Sequence, residues 1–323
     1  MNEKNRIRGI NRVFLCTVFT SLLASLVTQL MSSEWGVSIT EFQAILVSQV
    51  VLILPALAYI ILNKINVVSF IRLNKIRWMT VLQLVLFAFM VMPLMNLISC
   101  LSLLVFENHI VGTVQGMVSN TNFFLCFMAI AVIPAVLEEA VYRGVFFSEY
   151  SKYNVRKGIV LSALMFGLLH MNMNQFLYAF AMGIVFALVI EATGSIVSSM
   201  IIHLTINGWS LLLTKLQEVV QSMAENQPEL FGKTAVEAVS AGNEVLTRGN
   251  LLAMIPSLAV SAIFCSIIAG ITFYFIAKGN GRLEHVKKIF ARRSGERESN
   301  ISFLSPALIF AVAVCFYCML VNG

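Results

Sequence analysis

Six hydrophilic side chains stand where the surrounding sequence is almost wholly apolar: Glu138, Glu139 and Arg143 in one stretch, His170 in a second, His203 and Asn207 in a third. If those stretches cross a membrane, each ionisable group is costly and should face a partner or a water-filled cavity. Glu139 and Arg143, at i and i+4, share one helical face and can pair, whereas Glu138 points about 100° away and is left for other work. His203 and Asn207 share a face by the same rule. A free carboxylate and an imidazole can take a proton from water, and a second imidazole and an amide can donate to a developing oxyanion. That set suffices to hydrolyse an amide bond.

The elements that must position these groups follow from composition. Of 323 residues, 59% are apolar and only 12% charged, against about 45–50% and 25% in soluble domains, which excludes a soluble globular protein. Uncharged runs predict an all-α, polytopic transmembrane bundle of about nine spans near 13–31, 42–62, 79–105, 121–149, 159–171, 176–192, 195–214, 251–277 and 302–321. Counted from each helix's end on the side of the basic loops at roughly 1.5 Å per residue, Glu138 and His170 both lie about 18 Å deep, with His203 and Asn207 at about 14 and 20 Å. The hydrophilic groups of three helices therefore share one level, near the middle of a hydrocarbon layer roughly 30 Å thick.

Charge sets the orientation. The N-terminus (Lys4, Arg6, Arg8, Arg12) and the loops at 63–78, 150–158 and 278–299 hold 18 of the 22 Lys and Arg, against three (Lys215, Lys233, Arg248) in the other connections. The positive-inside rule then predicts an integral, multi-pass protein of a bacterial plasma membrane with the N-terminus cytoplasmic and the C-terminus outside. The first apolar run lacks a small-x-small cleavage site and reads as a retained anchor. The chain divides into N-terminal helices (1–120), a motif-bearing core (121–214), an extracytoplasmic polar segment (215–250) and C-terminal helices (251–323). The polar segment reads as broken helix that could be lid, dock or linker.

Other chemistries are excluded or left as alternatives. All 16 acidic residues are Glu, so aspartate-based catalysis is absent. The six cysteines lie in apolar runs and read as packing residues, although Cys315 and Cys318 have C-x-x-C spacing. A positive balance in so apolar a chain speaks for loop topology, and a nucleic-acid partner is set aside. Two histidines and a glutamate could hold zinc, yet no H-E-x-x-H occurs. Polar groups can also bond helix to helix without catalysis. His109 and His285 are read as loop residues without a role.

The ordered motifs resemble a known family. Glu138 to Arg143 fits E-E-x-x-x-R, Phe166 to His170 fits F-x-x-x-H, and His203 to Asn207 fits H-x-x-x-N. In this the chain resembles the CPBP family of CAAX proteases and bacteriocin-processing enzymes, the intramembrane glutamic endopeptidases, over about 121–210. The resemblance implies that Glu138 and His170 activate water, that His203 and Asn207 form the oxyanion hole, and that Glu139 and Arg143 support the first glutamate, with Phe166 part of the second motif. The expected activity is cleavage of a peptide or protein substrate, which could be lipidated, at or within the bilayer, with no cofactor and no metal required. The alternative is a non-catalytic immunity or scaffold protein, or a proton-coupled transporter.

Overall fold

The computed structural model describes residues 3–106, 110–226, 247–291 and 302–321, which are helical with short connections and, among the described residues, form no strand. Besides the single turn Val67–Phe70, the helices are α1 (Glu3–Ser33), α2 (Glu41–Leu62), α3 (Trp78–Leu103), α4 (Ile110–Asn120), α5 (Phe123–Ser151), α6 (Val155–Leu168), α7 (Met173–Thr193), α8 (Val197–Asn226), α9 (Arg248–Gly279), α10 (Leu283–Phe290) and α11 (Pro306–Val321). Seven of them, α1, α2, α3, α5, α7, α8 and α9, are long and apolar enough to cross a membrane. The protein is a polytopic helical bundle. The other two expected spans form shorter helices: α6 has 14 residues, roughly 21 Å of rise, and α11 has 16, roughly 24 Å.

Local chemistry explains where the helices begin and end. Thr40 opens α2 with a reciprocal capping box, its hydroxyl accepting from the Gln43 N–H while the Gln43 side chain accepts from the Thr40 N–H. Asn154 and Asn172 cap α6 and α7 by accepting the N–H of Lys157 and Gln175. Gly194, with φ of 76°, closes α7 in the left-handed conformation that glycine adopts without a Cβ penalty. The turn between α6 and α7 is equally specific. His170 and Met171 (φ 50°) bend the chain back, and Asn172 at once restarts it. His170 therefore sits just past the end of α6 rather than within a span running to 171, because an asparagine cap begins a new helix there.

The loops rich in Lys and Arg gather at one end of the bundle. Glu191, almost wholly buried on α7, accepts hydrogen bonds from Arg72 and His285 and lies 3.5 Å from the Arg282 guanidinium. Asn74 donates to the Gly194 carbonyl at 2.7 Å, Ser195 donates to the Asn74 carbonyl at 2.6 Å, and Arg77 donates to the Gly279 carbonyl at 2.9 Å. On the same end, Asn11 of α1 donates to Phe303 and Ser305, and Lys152 pairs with Glu149 at 2.8 Å. His285 thus belongs to this clasp and lies in α10, not in a loop without partners. The sequence around it gave no sign of this, since its partner is 94 residues away.

The opposite end carries the α3–α9 contact of Cys100 with the Leu251 carbonyl and the packing of α4 against α2 and α5. Helix α8 runs on to Asn226, so the expected polar segment 215–250 begins as helix, and its residues 227–246 lie outside the described residues. His109 lies outside them as well.

Helices α6 and α7 touch where a Cβ on Gly183 would meet the Cα and Cβ of Ala163 at 2.7 Å and the Arg143 guanidinium at 3.1 Å. The backbone of Ala163 cannot step aside without shifting the helix. Gly183→Ala should therefore destabilise the fold by about 1–3 kcal/mol, as overpacking of a close core does. Thermal unfolding in detergent should show a lower midpoint than wild type, and an unchanged midpoint would contradict the close approach.

Candidate active site

Helix α5 sets the geometry, and it is not a uniform α-helix. Two segments, Met128–Val132 and Ala140–Phe147, are wound as π-helix, the wider form that recurs at functional sites. In the first, the Ile133 N–H reaches back five residues to the Met128 carbonyl. Pro134 follows and has no N–H to offer the Ile130 carbonyl four residues earlier. That carbonyl is satisfied from another helix: Asn207 Nδ2 donates to it at 3.1 Å. A proline in α5 thus fixes where an amide of α8 stands, and one N–H of that amide remains for another acceptor.

The adjacent glutamates then part ways. Glu139 faces inward and has no solvent exposure; its Oε1 accepts from Arg143 Nη1 at 3.0 Å and from His203 Nδ1 at 3.1 Å. Arg143 is as deeply buried, and its Nε and Nη2 have no hydrogen-bond acceptor among the described residues. Its guanidinium lies instead over the rings of Phe166 (4.3 Å) and Phe186 (4.9 Å), whose π faces attract a desolvated cation.

Those two rings also hold the imidazoles. Phe166 meets His170 edge-on at 5.0 Å, and Phe186 stacks on His203 at 5.2 Å with 25° between planes. His170 Nδ1 lies 2.8 Å from the Phe166 carbonyl, a bond an imidazole makes only as N–H donor. Its Nε2 is then the lone-pair nitrogen, fit to take a proton. By the same reasoning His203 donates from Nδ1 to Glu139, while its Nε2 points toward Glu138, 3.9 Å from Oε2.

Glu138 turns away from this cluster into a cavity of about 500 Å³ whose walls include Phe166, His170, His203 and Asn207. The residues singled out in the sequence therefore fall into two layers. Glu138, His170, His203, Asn207 and the edge of Phe166 face the cavity, while Glu139 and Arg143 lie behind it. Gln49 of α2 completes the wall around Glu138: its Nε2 donates to Glu138 Oε1 at 2.9 Å. The Oε1 of Gln49 is buried and has no donor among the described residues. Sequence reasoning passed over Gln49 and Phe186. An amide in the apolar run of α2 was a visible signal, but a search restricted to ionisable residues does not register it, and a phenylalanine among 24 carries none.

No cluster of three or more His, Cys, Asp or Glu side chains among the described residues is arranged to hold a metal ion. The arrangement offers a carboxylate and a lone-pair nitrogen on one cavity, with amide and imidazole groups beside them.

The two glutamates should respond differently to the same change. Glu139→Gln leaves the Arg143 charge buried without its counter-ion, a loss of about 3–5 kcal/mol for such pairs. Glu138→Gln keeps an acceptor facing Gln49 and should leave thermal unfolding close to wild type. Equal losses of stability in the two variants would contradict the two-layer arrangement.

Residues 120–209, which carry every motif described above except Gln49, match the family model Rce1-like, described as type II CAAX prenyl endopeptidase Rce1-like. No curated protein and no solved structure gives a significant match. With the Glu-Glu-Arg helix and both histidine motifs inside it, this segment of the polytopic bundle is similar to the CAAX prenyl endopeptidase family.

Proposed function

We propose that this protein is an intramembrane endopeptidase of the glutamic type, hydrolysing a peptide bond with water activated jointly by Glu138 and His170. The observation that carries the reading is that both groups face one cavity in complementary states: a carboxylate braced by Gln49, and an imidazole whose Nδ1–H is already committed to the Phe166 carbonyl. Water held between them gives up a proton as its oxygen attacks the scissile carbonyl, and the new tetrahedral centre carries the negative charge. The free N–H of Asn207 and, when its Nε2 is protonated, His203 donate to that oxyanion. The proton then passes to the leaving amine as the C–N bond breaks.

Glu139 and Arg143 act one step back. They fix His203 through its Nδ1. The chemistry asks for no metal. A role confined to bonding helix to helix accounts for the contacts of Asn207 and Glu139 but not for a carboxylate turned into the cavity beside a lone-pair nitrogen. Substrates are peptides or proteins at the membrane.

Membranes from cells making the wild-type chain should contain new protein N-termini that are missing when the chain carries Glu138→Gln, as read by mass spectrometry of terminal peptides. Identical sets of termini would overturn the proposal. With a substrate so identified, Asn207→Ala should lower kcat by roughly 10²–10³-fold with KM little changed, the loss typical of one oxyanion donor. Turnover should persist in a strong chelator, and its loss with recovery on adding zinc would replace this mechanism by a metal-assisted one.

A further inference from the structure

The residues that line the cavity come from one half of the bundle. Ile45 lies at the start of α2, Ser99 near the end of α3, Ile130 in the first third of α5, Gln175 in the first turn of α7, and Ser210 and Thr214 beyond His203 on α8. Every one of these positions is on the side of the α3–α4, α4–α5 and α6–α7 connections. None is on the side where the basic loops are clasped around Glu191.

Toward the basic end the way is closed by packing. Phe146, Phe147, Phe186, Ile190 and Ile196 are buried to within 2% of complete, and Glu139 and Arg143 fill the space beside them. Away from it the way is open, with polar groups set among apolar ones such as Ile45, Val114 and Leu211: Asn96 and Ser210 are exposed, and Gln175 and Thr214 are half-buried. Thr214 is also shared with a second cavity of about 260 Å³, lined otherwise by Gln115, Ser119, Gln217, Glu218 and Gln221. The catalytic cavity thus continues into a vestibule between α4 and the outer part of α8 whose walls are amides, hydroxyls and one carboxylate.

From this, and resting on the peptidase reading above, we infer that the site is reached from the extracytoplasmic face, and that its substrate is an extended stretch of polypeptide presented from that face. Two independent facts support the inference. The basic loops hold 18 of the 22 Lys and Arg, and such loops are retained in the cytoplasm, so the cavity mouth lies outside. A vestibule of side-chain amides and hydroxyls can exchange hydrogen bonds with peptide N–H and C=O groups, which an extended strand leaves unpaired. A lipidated C-terminus made in the cytoplasm would meet the clasped, packed end of the bundle.

Access can be read without any substrate. In a chain whose six native cysteines are replaced by alanine, single cysteines are placed at Thr214, at Gln221 and, as the opposite marker, at Lys75. Spheroplasts of a bacterial host are treated with a membrane-impermeant maleimide before or after permeabilisation. Thr214→Cys and Gln221→Cys should label at least tenfold more than Lys75→Cys in intact spheroplasts, and all three should label after permeabilisation. The reverse pattern overturns the inference, as does labelling of all three in intact spheroplasts. Adding Glu138→Gln should leave the pattern unchanged, so the face of access stands or falls separately from peptidase activity. Where the Glu138-dependent N-termini are found, they should map to segments on the outer side of membrane or exported proteins. Termini at cytoplasmic, lipidated C-terminal peptides would overturn the substrate class.

Discussion

A carboxylate and a guanidinium held 3.0 Å apart, both sealed from water inside a bundle that sits in lipid, constrain everything around them. Neither charge survives there alone, because a buried ion without its partner costs several kcal/mol. Glu139 and Arg143 must therefore stay in register on α5, whatever else the helix does. The remaining valences of Arg143 are met by the faces of Phe166 and Phe186 rather than by further carboxylates. Those rings in turn fix His170 and His203, so one ion pair and its aromatic walls position both imidazoles. Gly183 belongs to the same arrangement, since only the absence of a side chain there admits Arg143 beside Ala163.

Because Glu139 is committed inward, Glu138 is released outward. On a helix two successive residues cannot share a face, and the adjacent acids consequently divide into one sealed behind the cavity and one that faces it. Its brace comes from Gln49 on α2, outside the segment that matches the family model. The π-wound stretches and Pro134 do the corresponding work for α8. Pro134 cannot supply the N–H that the Ile130 carbonyl would otherwise take four residues on, and Asn207 is tied to that acceptor. Irregular backbone and a missing N–H are tolerated at this depth because neighbouring helices and a cavity satisfy them.

The two ends of the bundle are built from different chemistry. One is a mesh of arginines, lysines and a histidine knotted around buried Glu191 and Glu149, which shuts the bundle behind the site. The other opens from the Glu138 carboxylate toward the C-terminal part of α8, past amides and hydroxyls set among apolar side chains. The proposed hydrolysis needs water at the scissile bond but not a leak between the two aqueous phases. The closed end and the wet end supply those two conditions separately.

The sequence by itself determined the class of the molecule: a helical membrane bundle, with the basic loops on one side and the hydrophilic residues of α5, of α8 and of the segment ending at His170 at a common depth. Composition, run length and i, i+4 spacing are local quantities, and they are legible in one dimension. It also gave the Glu139–Arg143 pair, since both partners lie on one turn of one helix. What only the tertiary structure decided involves partners distant in the chain: Gln49 on Glu138, Phe186 against His203, Asn207 on the Ile130 carbonyl, and His285 on Glu191. Nor could spacing show that α6 ends before His170, because a single asparagine cap and one left-handed residue set that turn. Which polar group meets which depends on how helices pack against each other, and that register is written in side-chain shape summed over the whole bundle rather than in any one segment.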